Sequence, residues 1–254
     1  MTGDLSRLVQ MQFMRPSQLE VAARAFPAVY VPFGLIEWHG RHLPLGNDAL
    51  KAHAFLVKVA EAYGGVVYPP VYFPSSTATH RFTAESNREK EMKAALVADL
   101  FERLKATGFR VIIGVSGHNV PEQLEMIQRG LEPVVSDGTV AGAAMFEVMP
   151  EDFSDECGGD HAAKWETSNM MFFYPDLVDL AALGTKPLAP DMKWPDGVGG
   201  LDPRAHASPE TGRRNVEHGM RVIGEKAREL LNSLPEDERP FRLPSISPEH
   251  WWYV

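Results

Sequence analysis

A run of twelve residues, from Glu37 to Asp48, concentrates side chains that bind metal ions. It contains two carboxylates and two imidazoles, and it follows the apolar stretch from Ala28 to Phe33. Unpaired charges are costly to bury, so their concentration where a buried strand meets a loop indicates a functional site. Carboxylate oxygens combined with imidazole nitrogens suit zinc, manganese or iron, whereas magnesium and calcium prefer oxygen ligands alone.

The spacing within this run favours convergence of its ligands. In an extended segment alternate side chains share a side, so Glu37 and His39 would point the same way. Asp48 follows Asn47 at a predicted helix start, from which its carboxylate can reach back to the same point. The alternative is a loop whose polar side chains only cap a helix and satisfy backbone groups.

Further candidate ligands come later in the chain. His118 follows the apolar stretch 110–115, and ligands bind outside the carboxyl ends of strands in open α/β sheets. His161 and Glu166 are separated by about 500° of helical turn, so they converge only if His161 precedes the first turn.

Each of these residues also has an ordinary structural interpretation. His118 could be a satisfied histidine beside a helix start, and Glu166 could pair with Lys164 on an exposed helix face. His80 could either pack within its loop or contact a substrate. Two other histidines are interpreted as structural, namely His42 and His53.

Apolar strand-like segments alternate with amphipathic helix-like segments along the chain. Predicted strands cover residues 28–33, 66–73, 110–115 and 139–148. Predicted helices cover 16–25, 47–63, 90–106, a segment starting near 121, 162–174 and 208–234. This alternation is typical of a parallel α/β sheet.

Composition excludes several classes of protein. The formal net charge of −9 over 254 residues argues against a nucleic-acid partner. No run approaches the ~18 apolar residues of a membrane span, and residues 1–7 lack the apolar core of a signal peptide. The lone cysteine, Cys157, fits a reducing compartment. We expect a cytoplasmic protein acting on a small molecule, with residues 1–254 forming one domain that includes a tail at 235–254.

Two segments predict self-association. Residues 184–207 are rich in Gly, Pro and Asp, and a loop of this length is usually functional or interface-forming. The tail ends in Trp251, Trp252 and Tyr253, which would expose a large apolar area unless covered. We therefore expect a homo-oligomer.

These motifs resemble, in their order along the chain, those of the creatininase (creatinine amidohydrolase) family. The run from Glu37 to Asp48 closely resembles the first family motif, and residues 116–119 resemble the second. Residues 161–168 resemble the third, residues 200–203 resemble the C-terminal region, and His80 occupies the place of a further family histidine. The resemblance covers roughly residues 10–232.

The resemblance implies a three-layer α/β/α fold with a mainly parallel central sheet, and a hexameric assembly. It also implies two divalent metal ions per subunit (Zn2+, Mn2+ or Fe2+). One metal would be held by Glu37, Asp48 and His118, and the other by His39 and the bridging Asp48.

The chain departs from the family pattern at two places. A family glutamate two residues after the second-motif histidine corresponds to Val120, which cannot bind a metal. Either Glu166, the nearest carboxylate, takes its place as a ligand, or the second metal binds weakly. The family tryptophans that close over creatinine have no counterpart between Asn119 and Lys164. Trp165 is the next tryptophan, and we predict substrate contacts from Trp165 and His80.

We therefore predict a metal-dependent hydrolase that directs a metal-activated water at a small cyclic amide or related cyclic carbonyl compound other than creatinine. His161 would shuttle a proton to the leaving group, and Glu166 would orient it or bind metal. Alternatives are a carbon–carbon hydrolase of a cyclic diketone in sugar or inositol breakdown and a formamide hydrolase. A non-catalytic metal-binding protein of the same fold is the alternative from another class.

Overall fold

The computed structural model describes residues 7–72, 90–189 and 196–243. Its strands are β1 (Ala28–Phe33), β2 (Val66–Val67), β3 (Val111–Ser116) and β4 (Ala141–Phe146). Its α-helices are α1 (Pro16–Ala25), α2 (Asn47–Tyr63), α3 (Lys90–Thr107), α4 (Pro121–Val135), α5 (Lys164–Phe173), α6 (Pro203–His206) and α7 (Pro209–Ser233). No helix within these ranges is both long and apolar enough to cross a membrane.

The four strands form one parallel sheet in the order β2-β1-β3-β4. Every residue of β1 and β3 is buried, as expected for strands covered on both faces. Alternate side chains of β1 face opposite layers: Val29 and Val31 pack with α1, α3 and α4, whereas Ala28 and Tyr30 pack with α2 and α7. The predicted parallel α/β sheet in a three-layer arrangement is confirmed.

Two strands are shorter than predicted. Of the stretch predicted as a strand at 66–73, the structure describes residues 66–72, and these are regular only at Val66–Val67, because Pro69 and Pro70 lack the N–H that a ladder requires. Val71 then returns to the sheet through a single bridge to Phe33. The strand predicted from residue 139 begins at Ala141, since the Asp137 carboxylate accepts from the Thr139 backbone and holds a turn there.

Several predictions concern residues outside the described ranges. His80 and the terminal aromatics Trp251 to Tyr253 lie there, so their predicted roles stay predictions. The predicted loop at 184–207 is described except for residues 190–195, and it contains the short helix α6.

The start of α2 crosses closely over the ends of β1 and β3. A Cβ atom at Gly34, just after β1, would collide with the backbone of Asp48 and Ala49. A Cβ at Gly117, just after β3, would collide with the carbonyl of Asp48. Only glycine permits this approach, which brings the first turn of α2 to the carboxyl edge of the sheet.

Candidate metal-binding active site

The carboxyl edge of the sheet carries four of the predicted metal ligands. Glu37 and His39 lie in the irregular loop after β1, and His118 follows β3. Asp48 lies in the first turn of α2, where the helix dipole favours a carboxylate. All four residues are at most 5% exposed, so their polar atoms face one another instead of water.

Two ligand sets share Asp48. In the first set, His118 Nδ1 lies 3.0 Å from Glu37 Oε2 and 3.3 Å from Asp48 Oδ2. In the second set, His39 Nε2 lies 2.8 Å from Asp48 Oδ1 and 3.4 Å from Glu166 Oε2. Within each set the ligand atoms lie within 4.8 Å of one another. Asp48 therefore turns one carboxylate oxygen towards each set.

The directions of these contacts suit metal coordination better than hydrogen bonding. Glu37 Oε2, His39 Nε2 and Asp48 Oδ2 are buried, and within the described part of the chain they have no hydrogen-bond partner despite their short contacts. These buried atoms lie close together and are available to bind a shared cation. Carboxylates and imidazoles together suit Zn2+, Mn2+ or Fe2+, so the residues fit one divalent cation in each set.

The buried carboxylates raise the basicity of the histidines among them. Burial opposes protonation of His39, but Asp48 and Glu166 outweigh it and raise its pKa to about 9. Burial opposes protonation of His118 too, and contacts with Asp48 and Glu37 raise its pKa to about 10. Burial favours the neutral acid of Asp48, yet the two histidines hold its pKa well below the ordinary value. The cluster thus attracts positive charge.

His161 precedes α5, as its spacing from Glu166 requires for the two to converge. His161 pairs with Gly199 in an isolated bridge, and Ala162 then turns the chain into the helix with a φ of 52°. Glu166 Oε2 accepts a hydrogen bond from the Ala162 N–H at 2.7 Å. The predicted helix at 162–174 accordingly begins at Lys164.

The His161 ring lies beside the His39 ring, with ring centres 4.5 Å apart. Burial and the neighbouring His39 lower the pKa of His161, which favours the neutral ring. Its Nε2 lies 3.0 Å from the carbonyl oxygen of Trp38, and a carbonyl only accepts, so we assign the hydrogen to Nε2 and basicity to Nδ1. A ring nitrogen of His161 also lies within 4.8 Å of a carboxylate oxygen of Glu37 and a ring nitrogen of His39.

A cavity of about 320 Å³ adjoins the ligand sets. Glu37, His118, His161 and Glu166 contribute to its lining. The rest is largely apolar and includes Val120, Phe146, Val148, Pro150 and Phe153. A substrate group in this cavity therefore meets metal ligands on one part of its surface and hydrocarbon on another.

A predicted substrate contact, Trp165, and a histidine interpreted as structural, His42, are not among the described residues that line this cavity. Trp165 packs against Gly158, and Lys164 Nζ lies 3.7 Å from its ring centre. His42 is buried with Nε2 3.0 Å from Thr167 Oγ1, which agrees with its structural interpretation.

Sequence reasoning missed a buried lysine behind the second ligand set. Lys51 Nζ lies 2.6 Å from Glu147 Oε2 and 3.1 Å from Glu166 Oε1. Burial opposes its charge, but the two carboxylates raise the pKa of Lys51 above its ordinary value. Burial also raises the pKa of Glu147 to about 7, and we assign the shared proton to Lys51 because both carboxylates accept from it.

The sequence contains a signal for both Lys51 and Glu147. Glu147 directly follows β4, so the strand-end rule that selects His118 also selects Glu147. Lys51 lies three residues after Asp48, about one helical turn along the same face.

Comparisons with known proteins agree with the motif order. A family model described as creatininase, creatinine amidohydrolase, matches residues 12–226. Creatinine amidohydrolase of Pseudomonas putida is 27% identical over 206 residues, which cover 71% of this chain and 76% of that relative. The mycofactocin precursor peptide peptidase of Mycobacterium ulcerans is 25% identical over 225 residues, covering 82% and 85%. The solved structure named creatininase Mn has the same fold, with a TM-score of 0.69 at 22% identity over 87% of this chain and 98% of that one.

Replacing Asp48 by asparagine tests the shared ligand, because it removes the common negative charge at nearly constant volume. After the same metal loading as the parent chain, we expect the variant to retain neither cation. Elemental analysis measures the metal content. Asp99→Asn, on an exposed face of α3, is the matched control and should keep the metal content of the parent chain. Unchanged metal content in the Asp48 variant would show the assignment to be wrong.

Proposed function

The chain belongs to the creatininase family, and from this premise we propose that it is a metal-dependent hydrolase holding two divalent cations. The observation that carries the proposal is the pair of ligand sets that share Asp48 beside a cavity. Structural metal sites tend to be closed shells of Cys and His, whereas these sets combine carboxylates with histidines and border open space. This difference favours catalysis over the alternative of a non-catalytic metal-binding protein. The manganese named for the solved creatininase further supports a divalent metal.

The proposed substrate is a small cyclic amide with an uncharged, apolar portion. The similarity to a creatinine amidohydrolase supports attack on a cyclic C–N bond. The apolar lining around Phe146, Val148 and Phe153 supports an uncharged group, since a charge against these side chains would lose its hydration without gaining a partner from them. Asn119 and Asp160 also line the cavity. The lining includes no tryptophan among the described residues, so creatinine is not the substrate we propose.

A second candidate is hydrolysis of a peptide bond. The similarity to a mycofactocin precursor peptide peptidase favours it, because that relative covers more of this chain than the amidohydrolase does. Both candidates require the same attack of water on an amide carbonyl. They differ in how much of the substrate must fit outside the cavity.

In the proposed reaction, the cations and the protein side chains have separate roles. When bound, two divalent cations supply the Lewis acidity that makes water nucleophilic at neutral pH and polarises the carbonyl. His161 Nδ1 takes a proton from the attacking water and returns it to the leaving nitrogen. Glu166, bonded to the Ala162 N–H, keeps this segment beside the second ligand set. The apolar lining limits access of bulk water to the reacting groups.

A substrate panel tests the proposed class. Metal-replete protein should hydrolyse one or more neutral lactams, and a chelator should abolish that turnover. The panel also contains short peptides, formamides and cyclic diketones, assayed by product formation. Turnover confined to peptides would replace the cyclic amide by the second candidate, and turnover that persists with full chelation would contradict a metal-dependent hydrolase.

Replacing His161 by alanine tests the proton transfer. We expect turnover to fall by ~10²–10⁴-fold while the metal content stays that of the parent, because only the acid–base group is lost. Elemental analysis and steady-state kinetics on the best substrate of the panel measure the two quantities. His206→Ala, at an exposed position on α6, is the control. Loss of metal in the His161 variant would make it a ligand, and unchanged turnover would remove it from the mechanism.

A further inference from the structure

The ammonium group of Lys51 has no solvent contact of consequence, since the residue is 1% exposed. Its three N–H donors have three acceptors: Glu147 Oε2 at 2.6 Å, the Gly117 carbonyl at 3.0 Å and Glu166 Oε1 at 3.1 Å. A lysine is seldom buried this fully unless it is paired. The adjoining void is about 10 Å³, at the lower limit for one water, and the protein itself supplies an acceptor for each donor.

Glu166 is held through both of its carboxylate oxygens. Oε1 accepts from Lys51, while Oε2 accepts from the Ala162 N–H at 2.7 Å and faces His39 at 3.4 Å. A glutamate side chain has several rotatable bonds, so an unrestrained carboxylate would sample many orientations. The contact with Lys51 selects the orientation in which Oε2 faces the second ligand set.

Glu147 already pairs with the charge of Lys51, and its contact is the shortest of the three. The further contact with Glu166 therefore adds to a charge pair that already exists. The contact of Lys51 with Glu166 fixes the Glu166 carboxylate. It also partly offsets the negative charge of Glu166 beside Asp48.

We infer that Lys51 is a positioning residue for the second ligand set: anchored by Glu147, it fixes Glu166 so that this carboxylate can bind the second cation. This inference rests on the proposed two-metal function. It assigns a role to a residue outside both ligand sets, and it predicts that the second cation depends on Lys51 while the first does not.

The test compares Mn2+ binding by the parent chain, Lys51→Met and Lys58→Met. Methionine keeps the length of the lysine stem and removes its charge. Lys58 is the matched control, because it lies on the same helix, two turns further along, and pairs with Glu61 near the surface. Equilibrium dialysis measures affinity and stoichiometry, and electron paramagnetic resonance distinguishes a coupled Mn2+ pair from an isolated ion.

We expect Lys51→Met to weaken the second cation by ~10–100-fold, the usual cost of removing a group that orients a metal ligand, while the first cation stays bound. The resonance signal should change from a coupled pair to an isolated ion, and Lys58→Met should behave as the parent does. If Lys51→Met does not fold, the double variant Lys51→Met/Glu147→Met removes the unpaired carboxylate as well and should show the same selective loss.

Two results would overturn the inference. Retention of both cations at parental affinity, with or without a lower unfolding temperature, would make the Lys51 contacts purely structural. Equal loss of both cations would show that the effect is not specific to the second set. A parent chain that binds no Mn2+ pair would instead overturn the proposed function itself, so the two failures are distinguishable.

Discussion

Asp48 places a charged carboxylate, with no exposure to solvent, at the first turn of α2. Burying such a charge is costly unless its oxygens are satisfied, so other groups must come to it from several elements. The loop after β1 supplies His39 and the turn after β3 supplies His118, one to each carboxylate oxygen. Gly34 and Gly117 make the approach possible, because a side chain at either position would push α2 away from the sheet edge.

The electrostatics of the cluster follow from this shared carboxylate. Glu37, Glu147 and Glu166 add further buried negative charge, and Lys51 offsets only part of it. In the absence of a cation, His39 and His118 supply positive charge as imidazolium groups, with pKa values of about 9 and about 10. Under the proposed function, a divalent cation in each ligand set would supply that charge instead, with the histidines neutral and their nitrogens free to coordinate. Protons and metal ions would then compete for the same buried negative potential.

Much of this arrangement follows from the sequence. Unbroken apolar runs identify β1 and β3, and the strand-end rule then selects Glu37 and His118. The five-residue spacing of His161 and Glu166 shows that a helix cannot align them, which agrees with the observed helix start at Lys164. The pairing of Lys51 with Glu147 could not be predicted in this way, because the two are separated by 96 residues and meet only in the tertiary structure. The strand order β2-β1-β3-β4 likewise depends on tertiary contacts that no local pattern encodes.

Anomalous X-ray diffraction from crystals grown with Mn2+ tests the shared carboxylate most directly. We expect two anomalous peaks, one on each side of the Asp48 carboxylate. Glu37 and His118 should border one peak, and His39 and Glu166 should border the other. A single peak, or peaks that do not contact Asp48, would show that Asp48 does not bridge two cations.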